Sequence, residues 1–291
     1  MKRIVILGCE NSHANGFLKA IRDEKIDDVE VVGVYSHQRE AAEKLNAEFG
    51  TPILDNYDSA VGKVDGIIVT ARHGDRHYMY AKPYINAGIP MFIDKPITIN
   101  ENEADEFVKA LKDAGCTVTG GSMCIYSDYV MALKEQVKSA EHGAVLGGYL
   151  RAPLMSGSEH GGFYFYSHHL VHVMCEIFGY YPTSVLAHRC GDAVNITVRY
   201  PDYDVNAVYA DNAASNNIYF AGVNFEKKIV GESYGLDNCA SRELNTYLDL
   251  LRGGQMKLSY SDVFAPVYIL AAIDRSMASG KEETVRRGPA V

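Results

Sequence analysis

The chain has 291 residues, and 28 lysines and arginines against 37 aspartates and glutamates give it a net charge of −9. This length suits two domains, and 47% hydrophobic with 22% charged residues is an ordinary globular composition, which excludes a disordered or fibrous protein. The acidic balance lacks the basic surface that nucleic acids and anionic membranes require. Since no apolar run approaches the roughly 18 residues that span a bilayer, we expect neither a nucleic-acid nor a membrane partner.

The six cysteines and the N-terminus indicate the compartment. None of the cysteines stands in a CxxC spacing, which argues against a zinc ribbon or a thioredoxin-like redox site. The apolar run 4–9 after Lys2-Arg3 imitates a signal peptide but is too short for one. Scattered thiols in a chain of this size suit a reducing compartment, so we expect a cytoplasmic protein.

The first 120 residues alternate strand-like and helix-like segments. Apolar, β-branched runs predict strands at 3–8, 30–35, 66–70, 90–94 and 116–120. Continuous apolar strands that alternate with helices indicate a parallel sheet covered on both faces. Residues 1–120 are therefore predicted to form a doubly wound α/β domain.

After residue 120 the pattern changes to that of an α+β domain, predicted over 121–291. Four or five strand candidates follow one another between 184 and 230 without helices, which implies a mostly antiparallel open sheet. The other predicted elements are a helix at 128–140, a strand at 144–152, a helix ending at Phe178, and helices at about 237–252 and 262–279.

The turn after the first strand is the first candidate site. The N–H groups at a helix N-terminus in this position can hold a pyrophosphate, usually within a GxGxxG fingerprint. Only the first glycine of that fingerprint is present, and Glu10 stands at the second position. A carboxylate there repels a pyrophosphate unless it points away, so the turn alone fits equally a domain that binds no dinucleotide. The predicted cofactor contacts in this turn are Gly8, Cys9, Asn11, Ser12 and His13.

The end of the second strand predicts which nicotinamide cofactor is used. An acid usually stands there to bind the ribose hydroxyls, whereas this chain has Ser36, His37 and Arg39. Ser36 and Arg39 suit a 2′-phosphate better than a bare ribose, so the cofactor is predicted to be NAD or NADP, with a lean towards NADP. The alternative is that Arg39 only begins a solvated helix.

The segment Phe92–Pro96 carries the most specific signal. Pro96 favours an extended conformation for Lys95 at the carboxyl end of a strand, where ligands bind in open α/β sheets. A half-buried lysine there can exchange protons with a reacting hydroxyl. Standing alone, the motif would favour a surface lysine before a turn proline.

Several segments together resemble the Gfo/Idh/MocA family, the glucose–fructose oxidoreductase and inositol dehydrogenase group of NAD(P)-dependent enzymes. The resemblance spans nearly the whole chain and implies a Rossmann domain followed by an α+β domain whose open sheet often joins subunits, hence a homodimer or homotetramer. It also implies a sugar, polyol or related carbonyl as substrate. The segments are the first strand with its turn at 12–14, Asp94-Lys95-Pro96, Gly161-Gly162 followed by His169 and Gly179, and 273–280.

In the first domain, the family's catalytic lysine matches Lys95, and Asp94 precedes it. The family's histidine after the third strand matches His77 if one residue is inserted. Thr70 and Ala71, which end that strand, complete the predicted cofactor contacts together with Asp94 and Lys95.

In the second domain, the family's Asp-xxx-His-xx-Asp helix is only partly present. Its histidine matches His169, but Phe165 and His172 stand where the family has aspartates, so the acid/base arrangement must differ. His168, Tyr166 or Tyr164 could substitute for a missing carboxylate.

The resemblance and these residues favour an NAD(P)-dependent oxidoreductase that transfers a hydride to or from a sugar, cyclic polyol or glycoside. Its predicted catalytic residues are Lys95, His169, His168 and Tyr166, and its predicted substrate contacts are Lys95, Arg151, Tyr164, His169 and His172.

Two alternatives remain open from the sequence. One is a non-redox relative that binds a sugar or nucleotide, because the glycines and carboxylates of the family pattern are lost. The other is a metal-dependent lyase or isomerase, because His168 and His172 are spaced to share one helix face near His160. Spacing alone is weak support for a metal, and none is predicted.

Overall fold

The computed structural model describes residues 1–211 and 218–289, and the chain divides into two compact units. Unit 1 contains Met1–Gly121, Ala240–Val263 and the chain end from Pro289, and unit 2 contains Ser122–Cys239 and Phe264–Gly288.

Unit 1 is a parallel α/β unit, as the alternating pattern predicted. All pairings within its five-stranded sheet are parallel, in the order β2-β1-β3-β4-β5. Its strands are β1 (Lys2–Leu7), β2 (Val29–Tyr35), β3 (Gly66–Val69), β4 (Met91–Asp94) and β5 (Val118–Gly121). Its helices are α1 (Ser12–Asp23), α2 (Arg39–Phe49), α3 (His77–Ala81) and α4 (Glu101–Ala114), with 3₁₀ turns at Gly74–Arg76 and Lys82–Ala87.

The sheet of unit 1 has a topological switch point between β1 and β3. A single parallel bridge joins Val34 of β2 to Ile53. The segment around Ile53 therefore lies along the outer edge of β2 and counts as a very short sixth strand. Counted with it, the spatial order is the 3-2-1-4-5-6 order of Rossmann domains. Ligands of such sheets bind beyond the carboxyl ends of the strands where the order reverses. The Rossmann-type α/β prediction is therefore confirmed, and the expected ligand position is the turn after β1.

Helix α7 (Cys239–Leu251) contributes to unit 1 from Ala240 on, although the predicted division at residue 120 puts it in the second domain. The reason is its apolar face: Leu244, Tyr247, Leu248 and Leu251 pack into the core cluster of unit 1 with β1 and α1. Sequence periodicity identified this helix but not the sheet against which it packs.

Unit 2 is built on a seven-stranded mixed sheet of order β11-β10-β6-β9-β8-β7-β12, in which only the β6–β9 pairing is parallel. The mostly antiparallel sheet is therefore confirmed. Its strands are β6 (Val145–Pro153), β7 (Ser184–Cys190), β8 (Ala193–Arg199), β9 (Asp204–Ala210), β10 (Tyr219–Phe225), β11 (Ile229–Tyr234) and β12 (Glu283–Thr284). Its helices are α5 (Asp128–Ser139), α6 (Phe163–Phe178) and most of α8 (Tyr260–Ser279), with a 3₁₀ turn at Met123–Tyr126.

Helix α6 covers one face of this sheet. A Cβ on Gly148 of β6 would lie 2.1 Å from the Phe178 ring, so the strand approaches the helix as closely as glycine permits. Leu150 and Ala152 share that face and are buried, whereas Leu146 and Tyr149 are exposed. The sheet thus keeps one apolar face open.

Within the part of the chain that the structure describes, no helix combines the length and the apolar character needed to cross a bilayer.

Gly8 closes the gap between β1 and β3 at the switch point. Its φ of +83° lies in the left-handed region, and a Cβ would stand 2.4 Å from the backbone N and Cα of Ala71. Thr70 adds a hydrogen bond from its hydroxyl to the Gly8 carbonyl at 3.1 Å. Only glycine fits this position, so the first fingerprint glycine is required for strand packing independently of any ligand.

We expect Gly8→Ala to lower the free energy of unfolding by about 2–5 kcal/mol, the sum of overpacking and left-handed strain. The control is Gly16→Ala within α1, where a Cβ meets nothing within 4 Å. That change removes a helix-interior glycine and should raise the stability by about 0.5–1 kcal/mol. Urea unfolding followed by circular dichroism measures both, and equal effects of the two variants would contradict the assigned role of Gly8.

Candidate functional site

The carboxylate of Asp94, at the end of β4, joins two turns of unit 1. Its Oδ2 accepts a hydrogen bond from Asn11 Nδ2 at 3.0 Å and lies 2.9 Å from His13 Nδ1. Its Oδ1 accepts the backbone N–H of Lys95 at 2.7 Å. Burial alone would raise the pKa of Asp94, but His13 and Lys95 outweigh it and hold that pKa below its usual value. The side chain is therefore an anion with no solvent exposure, held by the turn after β1 and by the turn after β4. We call these residues the Asp94 cluster.

His77 fixes the same region from the side of β3. It is fully buried, and its ring nitrogens lie 2.7 Å from the Pro96 carbonyl and 2.8 Å from the Ala71 carbonyl. Both nitrogens thus face backbone oxygens, so His77 ties the segment after β3 to the cis Lys95–Pro96 bond. The structure gives the predicted cofactor contact His77 a positioning role here.

Lys95 is only 4% exposed, which excludes the surface-lysine alternative. A second buried acid stands close to it, namely Glu243 of α7, which is 1% exposed. Neither carboxylate oxygen of Glu243 has a hydrogen-bond partner among the described residues. Burial, and after it the charge of Asp94, raises the pKa of Glu243 well above its usual range, against the opposite effect of Lys95. The surroundings of Glu243 thus favour its protonated form.

Sequence reasoning missed Glu243 because it lies on a helix far along the chain from the Lys95 motif. The only local signal was a glutamate among the apolar positions of α7. The sequence does not show what that helix packs against, so it could not indicate that this glutamate lies near Lys95.

Glu10, the acid at the second fingerprint position, turns towards the ends of β2 and β3. Its Oε2 accepts a hydrogen bond from Ser36 Oγ at 2.6 Å, and its Oε1 accepts one from the Arg72 N–H at 3.1 Å. His37 Nδ1 is 3.7 Å from Oε1. The turn itself is kept by Asn11, whose side chain caps α1 through the His13 N–H at 3.4 Å. The carboxylate is thus fixed at the two strand ends that flank β1.

Other predicted cofactor residues of unit 1 differ in what their side chains do. Ser12 begins α1, and its hydroxyl donates a hydrogen bond to Asn11 Oδ1, while Thr70 and Ala71 are fully buried beside Gly8.

The side chains of Cys9 and Arg39 are both engaged within the protein. The Cys9 side chain packs in the core cluster, where burial raises the pKa of the thiol to about 12. Only its backbone is available to a ligand. Arg39 is likewise turned along its own helix to Glu43, with 3.3 Å between Nε and Oε1.

In unit 2, Ser122 holds two histidines of α6. Its Oγ is 2.7 Å from His169 Nδ1, and its backbone N–H donates to His172 Nδ1 at 2.9 Å. The same Oγ accepts the Cys124 N–H at 3.1 Å as the cap of the following 3₁₀ turn. Ser122 therefore orients His169, a role that sequence reasoning missed because the two residues meet only in the fold.

His172 is a buried structural histidine. Burial lowers the pKa of His172 to about 4, so its ring is neutral at pH 7. Because Nδ1 accepts the Ser122 N–H, the ring proton sits on Nε2. The predicted substrate contact at His172 is corrected on this ground, since the side chain is 2% exposed and supports Ser122.

Tyr166, another predicted catalytic residue, lies beside His169. Their ring centroids are 4.9 Å apart at a steep angle. The Tyr166 hydroxyl also interacts with that of Tyr219 of β10, and burial raises the pKa of both phenols. Phe165, which stands at the first aspartate position, is buried against the His160 ring with 5.3 Å between centroids.

Three further predicted residues of unit 2 have contacts or burial that the sequence did not indicate. Arg151 lies on the sheet face opposite α6, in alternation with Leu150, and donates to the Ile218 carbonyl at 3.1 Å. The Tyr164 hydroxyl donates to Asp274 at 3.1 Å. His168 has no exposed surface, so it cannot meet a substrate in this conformation.

The helical spacing of histidines that motivated the metal-dependent alternative does not assemble a ligand set. Over residues 1–211 and 218–289, no group of three or more His, Cys, Asp or Glu side chains is arranged to hold a metal ion.

Comparisons with known proteins agree with this architecture. Residues 2–122 match the GFO_IDH_MocA family model, described as an oxidoreductase family with an NAD-binding Rossmann fold. No curated protein sequence matches the chain closely enough to count as a relative.

Solved structures share the fold over both units. Myo-inositol 2-dehydrogenase from Lactobacillus plantarum is 16% identical with a TM-score of 0.86, over 98% of this chain and 99% of that one. Myo-inositol dehydrogenase from Corynebacterium glutamicum is 16% identical with a TM-score of 0.85, over 100% of both chains. Scyllo-inositol dehydrogenase from Lactobacillus casei, solved with bound NAD(H) and scyllo-inositol, is 14% identical with a TM-score of 0.85, over 98% and 99%.

The raised pKa of Glu243 predicts a specific pH dependence. The unfolded chain loses this proton above the usual value of 4.5, whereas the native state holds it to higher pH, so stability falls as pH rises above 4.5. Glu243→Gln removes the titration. We expect its stability relative to the parent chain to increase from pH 5 to pH 8, by up to about 1.4 kcal/mol per pH unit.

Urea unfolding at the two pH values measures this difference. The exposed Glu106→Gln of α4 is the control and should show the same small effect at both. A constant difference between Glu243→Gln and the parent chain would show that Glu243 is ionised in the native state.

Proposed function

We propose that this chain, a divergent member of the Gfo/Idh/MocA family, is an oxidoreductase that acts on the CH–OH group of a sugar, cyclic polyol or glycoside. The observation that carries the proposal is the Asp94 cluster, which fixes the buried Lys95 at the carboxyl end of β4, two strands from β1 in the sheet. The three inositol dehydrogenases that share the fold favour a cyclic polyol as the substrate.

The residues of unit 1 fit a dinucleotide at the start of α1. The capped helix N-terminus supplies N–H groups and a favourable dipole for a pyrophosphate. Glu10, the one acid in the turn, is hydrogen-bonded to Ser36 and to the Arg72 N–H, so its carboxylate is turned towards the ends of β2 and β3. It can therefore stand at the second fingerprint position without repelling a pyrophosphate at the start of α1. When bound, the nicotinamide ring supplies the hydride acceptor or donor.

Oxidation of a secondary alcohol releases one hydride and one proton, and the chain must take the proton. We assign this step to His169, whose Nδ1 lies 2.7 Å from Ser122 Oγ, and we propose that its Nε2 exchanges the proton with the hydroxyl. Lys95 of unit 1 is the second residue that we propose for proton exchange with a hydroxyl. In the reverse direction the imidazolium returns the proton to the carbonyl oxygen.

Between the two nicotinamide cofactors, the predicted lean towards NADP finds no support in the contacts of Ser36 and Arg39. Each of these side chains is engaged with a glutamate, Ser36 with Glu10 and Arg39 with Glu43. A 2′-phosphate would have to replace both interactions, so we favour NAD.

The open face of the sheet in unit 2 supports self-association as a homodimer or homotetramer. Leu146, Tyr149 and Ile229 on this sheet are 55%, 41% and 78% exposed, an apolar surface that is costly to leave in water. Sedimentation of the parent chain and of Tyr149→Glu tests this proposal, and a parent chain that is a monomer would exclude it.

The enzyme assignment is tested by turnover with inositols and sugars in the presence of NAD. We expect Lys95→Ala and His169→Ala each to lower kcat by about 10²–10⁴, the usual contribution of a positioned acid or base. Ser122→Ala should lower kcat less and shift its pH profile, because it removes only the group that orients His169.

Matched controls are Lys109→Ala and His188→Ala, both exposed, which should stay within about twofold of the parent chain. Near-normal turnover of both Lys95→Ala and His169→Ala would contradict the assigned roles. Absence of NADH binding by the folded parent chain would instead favour the non-redox alternative.

A further inference from the structure

We propose that Glu10 binds the adenosine ribose of the dinucleotide and makes this chain select NAD(H) over NADP(H). In the fold, Glu10 joins the end of β2 to the end of β3 across β1. The inference rests on the proposed function, because it concerns the same cofactor at the same turn.

The position of Glu10 follows from the topology of unit 1. In a Rossmann domain the adenosine ribose lies over the end of β2, and an acid that follows β2 usually accepts its 2′-hydroxyl. This chain has Ser36 and His37 there and no acid before Glu40, which lies in the first turn of α2. The turn after β1 supplies the carboxylate in its place, since Glu10 reaches Ser36 at 2.6 Å.

The contacts of Glu10 fix the carboxylate but do not saturate it. A carboxylate offers about four acceptor positions on its two oxygens. Ser36 Oγ and the Arg72 N–H occupy one on each oxygen. The remaining positions can accept a ribose hydroxyl, whereas a phosphate oxygen has no proton to donate to them at neutral pH.

The negative charge of Glu10 also disfavours NADP(H). A 2′-phosphate at the end of β2 would bring a second anion against a carboxylate whose side chain is only 3% exposed, so solvent screens the repulsion weakly. The imidazole of His37 already faces Glu10, with its Nδ1 3.7 Å from Oε1. Arg39 is paired with Glu43 on the surface of α2. His37 and Arg39 therefore already face carboxylates.

Separate titrations with NADH and NADPH, followed by the enhanced emission of the bound nicotinamide, test the proposal. Because the chain has no tryptophan, indole fluorescence does not interfere. We expect the parent chain to bind NADH at least tenfold more tightly than NADPH. Glu10→Gln keeps the shape and removes the charge, and it should reduce that ratio at least fivefold, mainly by tighter binding of NADPH.

Two further variants separate charge from structure. Glu10→Asp retains the carboxylate, so NADPH should stay as weak as in the parent chain, within about threefold. Glu106→Gln removes an exposed charge from α4 of the same unit and should leave the ratio within twofold. Circular dichroism of each variant verifies that it is folded.

The remaining outcomes overturn the proposal in distinguishable ways. If the parent chain binds NADH and the ratio in Glu10→Gln is unchanged, Glu10 does not select the cofactor, and the proposed oxidoreductase function stands. If Glu10→Gln tightens NADH as much as NADPH, Glu10 opposes the pyrophosphate rather than the 2′-phosphate. If the folded parent chain binds neither dinucleotide, the proposed function fails together with this inference.

Discussion

The buried negative charge of Asp94 is the constraint on which the candidate site of unit 1 depends. An ionised carboxylate with no solvent exposure is tolerated only when its environment replaces the lost hydration. Here the replacement comes from Asn11, from His13 and from the Lys95 N–H, which belong to two different turns. The same electrostatic requirement therefore sets both the start of α1 and the direction in which the chain leaves β4. The backbone of Lys95 is placed by its N–H, which donates to Asp94 Oδ1 at 2.7 Å.

Sequence reasoning located the elements because their signals are local. Apolar runs and helix caps predicted the strands of both units and the helix after Gly162, and the strand–turn position of Lys95 marked it as a functional lysine. Contacts that arise only when distant segments pack could not be found in this way. Glu243 beside Lys95 and Ser122 beside His169 are two such contacts. The direction in which Glu10 turns is a third, because it depends on the spacing of the ends of β2 and β3.

The two units depart in a related way from the pattern of the Gfo/Idh/MocA family, which the sequence resembles. In unit 1 the acid expected after β2 is absent, and Glu10 of the first turn lies at that strand end. In unit 2 the two aspartates expected on α6 are replaced by Phe165 and His172, and a serine outside the helix holds His169 in their absence. In each unit a hydrogen-bonding side chain is present, but it comes from a different segment of the chain than in the family pattern. A search for the sequence motif alone would miss such an arrangement, whereas the contacts in the fold reveal it.

The dissociation constant of NADH for Asp94→Asn tests the central claim most directly. Asparagine preserves the shape of the side chain but replaces one accepting oxygen by an amide NH₂, which then faces either Asn11 Nδ2 or the Lys95 N–H. With Asp113→Asn, an exposed residue of α4, as the control, we expect Asp94→Asn to weaken NADH binding at least tenfold while circular dichroism shows a folded protein. Affinity for NADH within twofold of the parent chain would contradict the claim that Asp94 holds the cofactor turn in place.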